Sequence, residues 1–175
     1  MKTMNDNTES KSDNSEALKI HPGRFLKSSL HFLAMNCPVD ELRGTLYKMR
    51  GTKIERNVTF GFQVFLEDLH PELITIKEGA DIGPRVTVLT NDSVFFHLGD
   101  PALYKVRTKE VIIGKNCYVG AGAIILPGVI IGDNTIIAAG SIVTKSIPPE
   151  SVAMGIPARV VCSREEWARN HPFKP

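Results

Sequence analysis

Aliphatic residues recur at every sixth position along one stretch of the chain, at Ile113, Val119, Ile125, Ile131, Ile137 and Val143. The hexapeptides they head read IGKNCY, VGAGAI, ILPGVI, IGDNTI, IAAGSI and VTKSIP. A period of six matches neither a 3.6-residue helix nor a two-residue strand. It predicts a short strand and a tight turn, repeated as the chain winds into a solenoid. Three such faces make one coil of about eighteen residues, and stacked coils hydrogen-bond as parallel strands. The aliphatic side chain then points inward, joined by the residue four places on: Cys117, Ala123, Val129, Thr135 and Ser141. Gly114, Gly120 and Gly132 follow the aliphatic position, where a turn with unusual backbone angles is expected. An antiparallel β-sandwich is the competing architecture, but sandwiches do not hold a six-residue phase over so many units.

The same phase runs back through Ile76, Ile82 and Val88, and a weaker set lies at Ile54, Phe60 and Leu66. The slip between these sets, around His70 and Pro71, predicts an enlarged corner. A larger break follows Ser93, and the rhythm resumes only at Ile113. The excursion, 94–112, is the segment where function is expected, because long irregular insertions inside a compact fold are commonly functional. The β-helix itself is expected over 51–162.

Upstream, 1–16 is polar and expected to be a disordered tail. Across 17–50 the pattern turns helical. Phe25, Leu26, Leu30, Phe32 and Leu33 predict one amphipathic helix, and Val39, Leu42, Leu46 and Met49 a second, with Pro38 near its start and Gly51 just past its end. Their expected role is to cap the open first coil. At the other end, 163–175 carries SREEWARN, a short helix with Ser163 as N-cap and Glu166 completing a capping box.

Composition narrows the function classes. A chain of 175 residues with a formal net charge of +2 has scattered basic residues and no dense basic stripe for a nucleic acid. No apolar run reaches membrane-spanning length, and the N-terminus lacks the apolar core of a signal peptide. Cys37, Cys117 and Cys162 form no metal-ligand spacing, and a reduced, cytoplasmic setting is expected.

The segment IGKNCYVGAGAIILPGVIIGDNTIIAAGSIVTKSIPPESVAMGIPARVV, 113–161, resembles the C-terminal half of the hexapeptide-repeat acyltransferases, near the maltose, galactoside and polysaccharide O-acetyltransferase group. IGPRVTVLT, 82–90, resembles that group's segment before its catalytic histidine. The resemblance covers about two thirds of the chain. It implies a mainly β fold, a left-handed parallel β-helix assembled as a homotrimer, with acetyl-CoA and a sugar or glycan acceptor meeting between subunits. The implied chemistry is direct: a histidine takes the proton of an acceptor hydroxyl, whose oxygen attacks the thioester carbonyl.

The chain departs from this pattern at one place. Maltose-type relatives resemble IYTATHP, which sets the histidine at Ser93; polysaccharide-type relatives resemble ILTHDHS, which sets histidines at Asn91 and Ser93. Here the segment reads VLTNDSVFFHLGDP, and the nearest histidine is His97. His97 is the candidate general base, oriented by Asp92 or Asp100, with Asn91 and Ser93 toward the acceptor. The competing reading makes His97 a surface-loop residue on a site that has lost acyl transfer.

TKSIPP and GIPARVV resemble the group's TKDIP and GNPAR stretches, which assigns Lys145 and Arg159 to the cofactor's phosphates. Ordinary solvated charge is the alternative for each. Ala121, Gly122, Ala139 and Gly140 offer small residues where a pantetheine arm approaches backbone, or serve only as turns. Tyr118 stands where relatives often carry Trp and is a candidate acceptor wall or a plain outward aromatic. Ile156 replaces the group's usual Asn. Tyr104, Lys105, Arg107 and Lys109 are weaker loop candidates, and His21, His31, His70 and His171 are expected to be solvent-facing or local packing residues.

Three function classes follow: a CoA-dependent O-acetyltransferase, a catalytically inactive β-helix that binds or scaffolds, and a γ-type carbonic anhydrase. The last needs three zinc-binding histidines, a triad the repeat region lacks.

Overall fold

The computed structural model describes residues 22–92 and 107–171. Two helices come first, α1 (Pro22–Asn36) and α2 (Asp40–Arg50). The chain then climbs three faces in strands of two or three residues. Coil one is β1 (Lys53–Ile54), β2 (Thr59–Phe60) and β3 (Phe65–Leu66); coil two is β4 (Ile74–Ile76), β5 (Asp81–Ile82) and β6 (Thr87–Val88). A side hairpin, β7 (Asn91–Asp92) and β8 (Arg107–Thr108), precedes coil three, made of β9 (Val111–Ile113), β10 (Tyr118–Val119) and β11 (Ile124–Ile125). Coil four is β12 (Ile130–Ile131), β13 (Ile136–Ile137) and β14 (Ile142–Val143). After a bridge from Ile131 to Ile147, β15 (Ser151–Gly155) starts a fifth coil, and β16 (Ala158–Ser163) turns back antiparallel to it, leading into α3 (Arg164–Asn170).

The faces are parallel sheets in the orders β1-β4-β9-β12, β2-β5-β10-β13-β15 and β3-β6-β11-β14, with β16 on the outer edge of the second. Register aligns the hexads: Ile82, Val119 and Ile137 stack on the second face, and Val88, Ile125 and Val143 on the third. All six leading aliphatics from Ile113 to Val143 are fully buried, and Cys117, Ala123, Val129, Thr135 and Ser141 share that interior as the period predicts. The slip near His70 is a 3-10 turn, Pro71–Leu73. Ser163 Oγ accepts from the Glu166 N–H at 3.1 Å, the cap expected of α3.

Three expectations are corrected. Gly114, Gly120 and Gly132 are not there for left-handed backbone, because the positive-φ glycines are Gly51, Gly79, Gly122, Gly128, Gly140 and Gly155. They are there because the next coil lies on top of them. A Cβ on Gly120 would stand 2.4 Å from the Ala139 nitrogen, and one on Gly132 2.3 Å from that of Pro149. Second, the span expected as an irregular excursion, 94–112, ends in strand: β8 and the first two residues of β9 fall within it.

Third, the helical cap works through polar side chains. Leu26, Phe32, Leu33, Val39, Leu42 and Met49 are exposed, whereas α2 buries Arg43, Tyr47 and Arg50. The strand N–H groups of coil one donate upward to coil two, which leaves its carbonyls without a coil beneath them. Arg43 Nη1 donates to the Phe60 carbonyl, Tyr47 Oη to that of Val64 at 2.5 Å, and Arg50 Nη2 to those of Leu66 and Glu67 at 3.0 and 2.6 Å. An open strand edge needs donors, which leucine and methionine lack.

Candidate functional site

The corner between the second and third faces forms a continuous ridge. Arg85 N–H donates to the Phe62 carbonyl, Gly122 to that of Pro84, and Gly140 to that of Ala121, each at 2.8–2.9 Å. Gln63, Arg85, Gly122 and Gly140 occupy the same place in successive coils, all with φ between 57° and 69°. At Gly122 and Gly140 an added Cβ would meet nothing within 4 Å. Open space therefore lies against bare backbone on coils three and four. Towards the first coils this ridge borders a cavity of about 370 Å³ lined by Phe62, Gln63, Pro84, Arg85, Ala121 and Gly122.

The corner between the third and first faces carries the neck of the excursion. β7 and β8 pair antiparallel, Asn91 opposite Thr108 and Asp92 opposite Arg107. Lys109 N–H donates to the buried Thr90's carbonyl at 2.8 Å. Asn91 Nδ2 donates to Glu67 Oε2 at 2.7 Å, and Glu67 Oε1 accepts from the Asp68 and Leu69 N–H groups at 3.0 and 3.4 Å. Arg50 holds the Glu67 carbonyl and reaches His31 Nδ1, so a buried polar chain runs from α1 to the neck. Burial, reinforced by the Arg50 charge, pushes the His31 pKa down to about 4. The ring is neutral, accepting at Nδ1 and carrying its proton on Nε2. Desolvation pushes the Tyr47 phenol well up and Arg50 down, as it does the Cys117 thiol upward.

The candidates from sequence fall into separate groups. Ala121, Gly122, Ala139 and Gly140 line one ridge, while Asn91 and Asp92 stand on another corner, across the third face. Tyr118 is half-exposed and points outward from the second face between Asp81 and Ile136. Lys145 follows β14, on the corner of the neck but two coils further on, and Arg159 lies on β16 opposite Met154; both are exposed. His97 and Ser93 lie outside the described residues, as do Asp100, Tyr104 and Lys105. Among the described residues the other histidines stand apart from both corners: His31 is buried in the cap, His70 pairs with Glu72, and His171 stacks on Trp167.

Sequence reasoning missed Glu67, Arg50, Arg43, Phe62 and Arg85. One signal was available: Glu67 directly follows the inward Leu66, an acidic residue in a position where the later coils carry Leu89, Leu126 and Thr144. Among the described residues no group of three His, Cys, Asp or Glu is arranged to hold a metal, the cysteines are free thiols, and no helix is long and apolar enough to cross a membrane.

The family model described as bacterial transferase hexapeptide (six repeats) matches residues 110–145. Nodulation protein L of Rhizobium meliloti is 52% identical over 90 residues, half of this chain and 47% of that protein. The chain therefore spans about half the length of that relative. Galactoside O-acetyltransferase of Escherichia coli is 35% identical over 127 residues, 69% of this chain and 58% of that protein. A solved galactoside acetyltransferase in complex with coenzyme A superposes with a TM-score of 0.65 at 26% identity, covering 95% of this chain and 90% of that one. The solenoid is thus a left-handed parallel β-helix built on the bacterial transferase hexapeptide repeat, similar in sequence and in fold to galactoside acetyltransferases.

Proposed function

We propose that the protein is an acetyl-CoA-dependent O-acetyltransferase acting on a sugar or glycan hydroxyl. The observation that carries this reading is the ridge of bare backbone at Ala121–Gly122 and Ala139–Gly140, where a pantetheine arm can lie against peptide groups that no side chain covers. Similarity to galactoside O-acetyltransferase, and to a galactoside acetyltransferase that binds coenzyme A, supports the same ligand. Lys145 and Arg159 supply the cations for the cofactor's phosphates.

The ridge and the neck stand on different corners of one chain, so a site using both draws its neck from a second copy. That geometry supports a homotrimer with the reaction between subunits, and the free cysteines fit a reduced, cytoplasmic setting. His97, oriented by Asp92, removes the acceptor hydroxyl proton. The freed oxygen adds to the thioester carbonyl, backbone N–H groups hold the negative charge, and collapse expels the coenzyme A thiolate, which takes up a proton. Ser93, Asn91 and Tyr118 face the acceptor. His97→Ala lowers acceptor-dependent thiol release by about 10²–10⁴-fold; full activity in that variant removes His97 from the base role.

A second reading, a β-helix that binds without turnover, is favoured by one observation. Asn91, where polysaccharide-type relatives carry histidine, commits its amide to Glu67. It predicts coenzyme A binding with no thiol release across a broad panel of hydroxyl acceptors.

A further inference from the structure

The cavity at the ridge carries a charge that nothing among the described residues uses. In the glycine coils, Gly122 and Gly140 adopt left-handed backbone without penalty, but coil two places Arg85 at the same corner with φ 58°. A β-carbon in that region is unfavourable, and non-glycine outliers of this kind concentrate where a side chain is needed. The other non-glycine residues with positive φ are Asn57, Asn116 and Asn134, the type that tolerates it best, Glu150, and the uncharged Gln63, which stands at the same corner one coil earlier and lines the same cavity. Glu150 is accounted for by accepting from Asn134 Nδ2 at 2.5 Å. Arg85, by contrast, is exposed and makes no side-chain hydrogen bond or ion pair among the described residues.

The walls around it are fixed. Arg43 holds its guanidinium carbon 5.3 Å from the centre of the Phe62 ring while bonding the Cys37 and Phe60 carbonyls and pairing with Asp40. Pro84 and the Ala121–Gly122 corner close the other side. A cavity of about 370 Å³ with one apolar aromatic wall, one small-residue wall and one free guanidinium fits a sugar ring bearing an anion. The guanidinium fork matches a carboxylate in two parallel bonds.

We infer that Arg85 and Phe62 form an acceptor subsite selective for a carboxylated sugar. The inference rests on the acyl-transfer reading for the word acceptor, but the subsite itself does not require turnover. Position argues for the acceptor over the cofactor as the source of the anion. Arg159, assigned to the cofactor's phosphates, lies beside β15 in the fifth coil, whereas Arg85 is in the second. At about 4.8 Å per strand spacing, the four steps from the level of β5 to β16 set the two arginines roughly 19 Å apart along the stack, with the arm's corners at Gly122 and Gly140 between them.

The test is a pair of titrations on the full chain held in saturating coenzyme A, with methyl β-glucuronide and methyl β-glucoside as probes, for wild type, Arg85→Gly and Arg85→Lys. The subsite predicts about tenfold tighter binding of the glucuronide, the lower range for a charge-assisted bond at an exposed site. The ratio falls close to one in Arg85→Gly and to an intermediate value in Arg85→Lys. Glycine suits the left-handed corner, so the thermal midpoint of Arg85→Gly does not drop, and lost selectivity is not misfolding. Equal affinity for the two probes in wild type, binding of neither, or a ratio unchanged in Arg85→Gly overturns the inference. Weakened coenzyme A binding in Arg85→Gly, with the ratio intact, assigns the anion to the cofactor and also overturns it. Thiol release from acetyl-CoA is scored separately: selective binding without release refutes transfer and leaves the subsite standing, whereas release that is indifferent to acceptor charge refutes the subsite alone.

Discussion

Glycine does two different jobs at neighbouring positions of the repeat, and the pair Gly120 and Gly122 separates them. At Gly120 the constraint is the coil above, because an added methyl would meet the Ala139 backbone at 2.4 Å, and backbone cannot swing away as a side chain can. At Gly122 the space is open and the constraint is a φ of 68°. Gly120→Ala is therefore expected to destabilise by about 3 kcal/mol, the upper range for overpacking, while the molecules that remain folded bind coenzyme A normally. Gly122→Ala costs only about 1–2 kcal/mol of left-handed strain but weakens coenzyme A, since the new methyl stands on the ridge. Urea midpoints and calorimetric titration of the two variants check both halves. Equal stability losses with equal affinities would contradict the division.

At the scale of elements, the hexads were legible from sequence because a buried aliphatic at every sixth residue has one geometric explanation, and every leading residue from Ile76 to Val143 is buried where the phase puts it. The cap was legible only as helices. Its chemistry was hidden because Arg43, Tyr47 and Arg50 are buried to satisfy carbonyls that exist only once the first coil has formed. The candidate site was half legible: small residues announced the ridge, but Arg85 and Glu67 acquire meaning from neighbours distant in sequence. The cap also carries a pH dependence. His31 stays neutral in the fold with its pKa lowered to about 4, while the unfolded chain takes up that proton near the ordinary histidine value. Between about pH 4 and 6.5 the unfolded state binds more protons, so stability rises with pH across that window and is lost as pH falls, by an amount on the order of 3 kcal/mol. Denaturant midpoints measured from pH 4.5 to 7.5 should rise in wild type and flatten in His31→Leu. An unchanged slope in the variant would place the titration elsewhere.

For the whole molecule, the separation of ridge and neck onto two corners decides how the parts combine. A single chain presents the ridge on one side of the third face and the β7–β8 neck on the other, and in the proposed reaction a second copy's neck meets the ridge. The hexapeptide-repeat solenoid supplies the frame; Asn91 and Ser93, where relatives carry histidine, and the cavity residue Arg85 are where the proposed acceptor chemistry is tested. The most direct test is acceptor-dependent thiol release from acetyl-CoA by the purified full chain, over a panel of neutral and carboxylated glycosides, with the product weighed by mass spectrometry. The account predicts release that requires an acceptor hydroxyl and matches, mole for mole, a product heavier by one acetyl group. Coenzyme A binding at the ridge with no acceptor-dependent release would contradict it and leave a β-helix that binds the cofactor without transferring its acyl group.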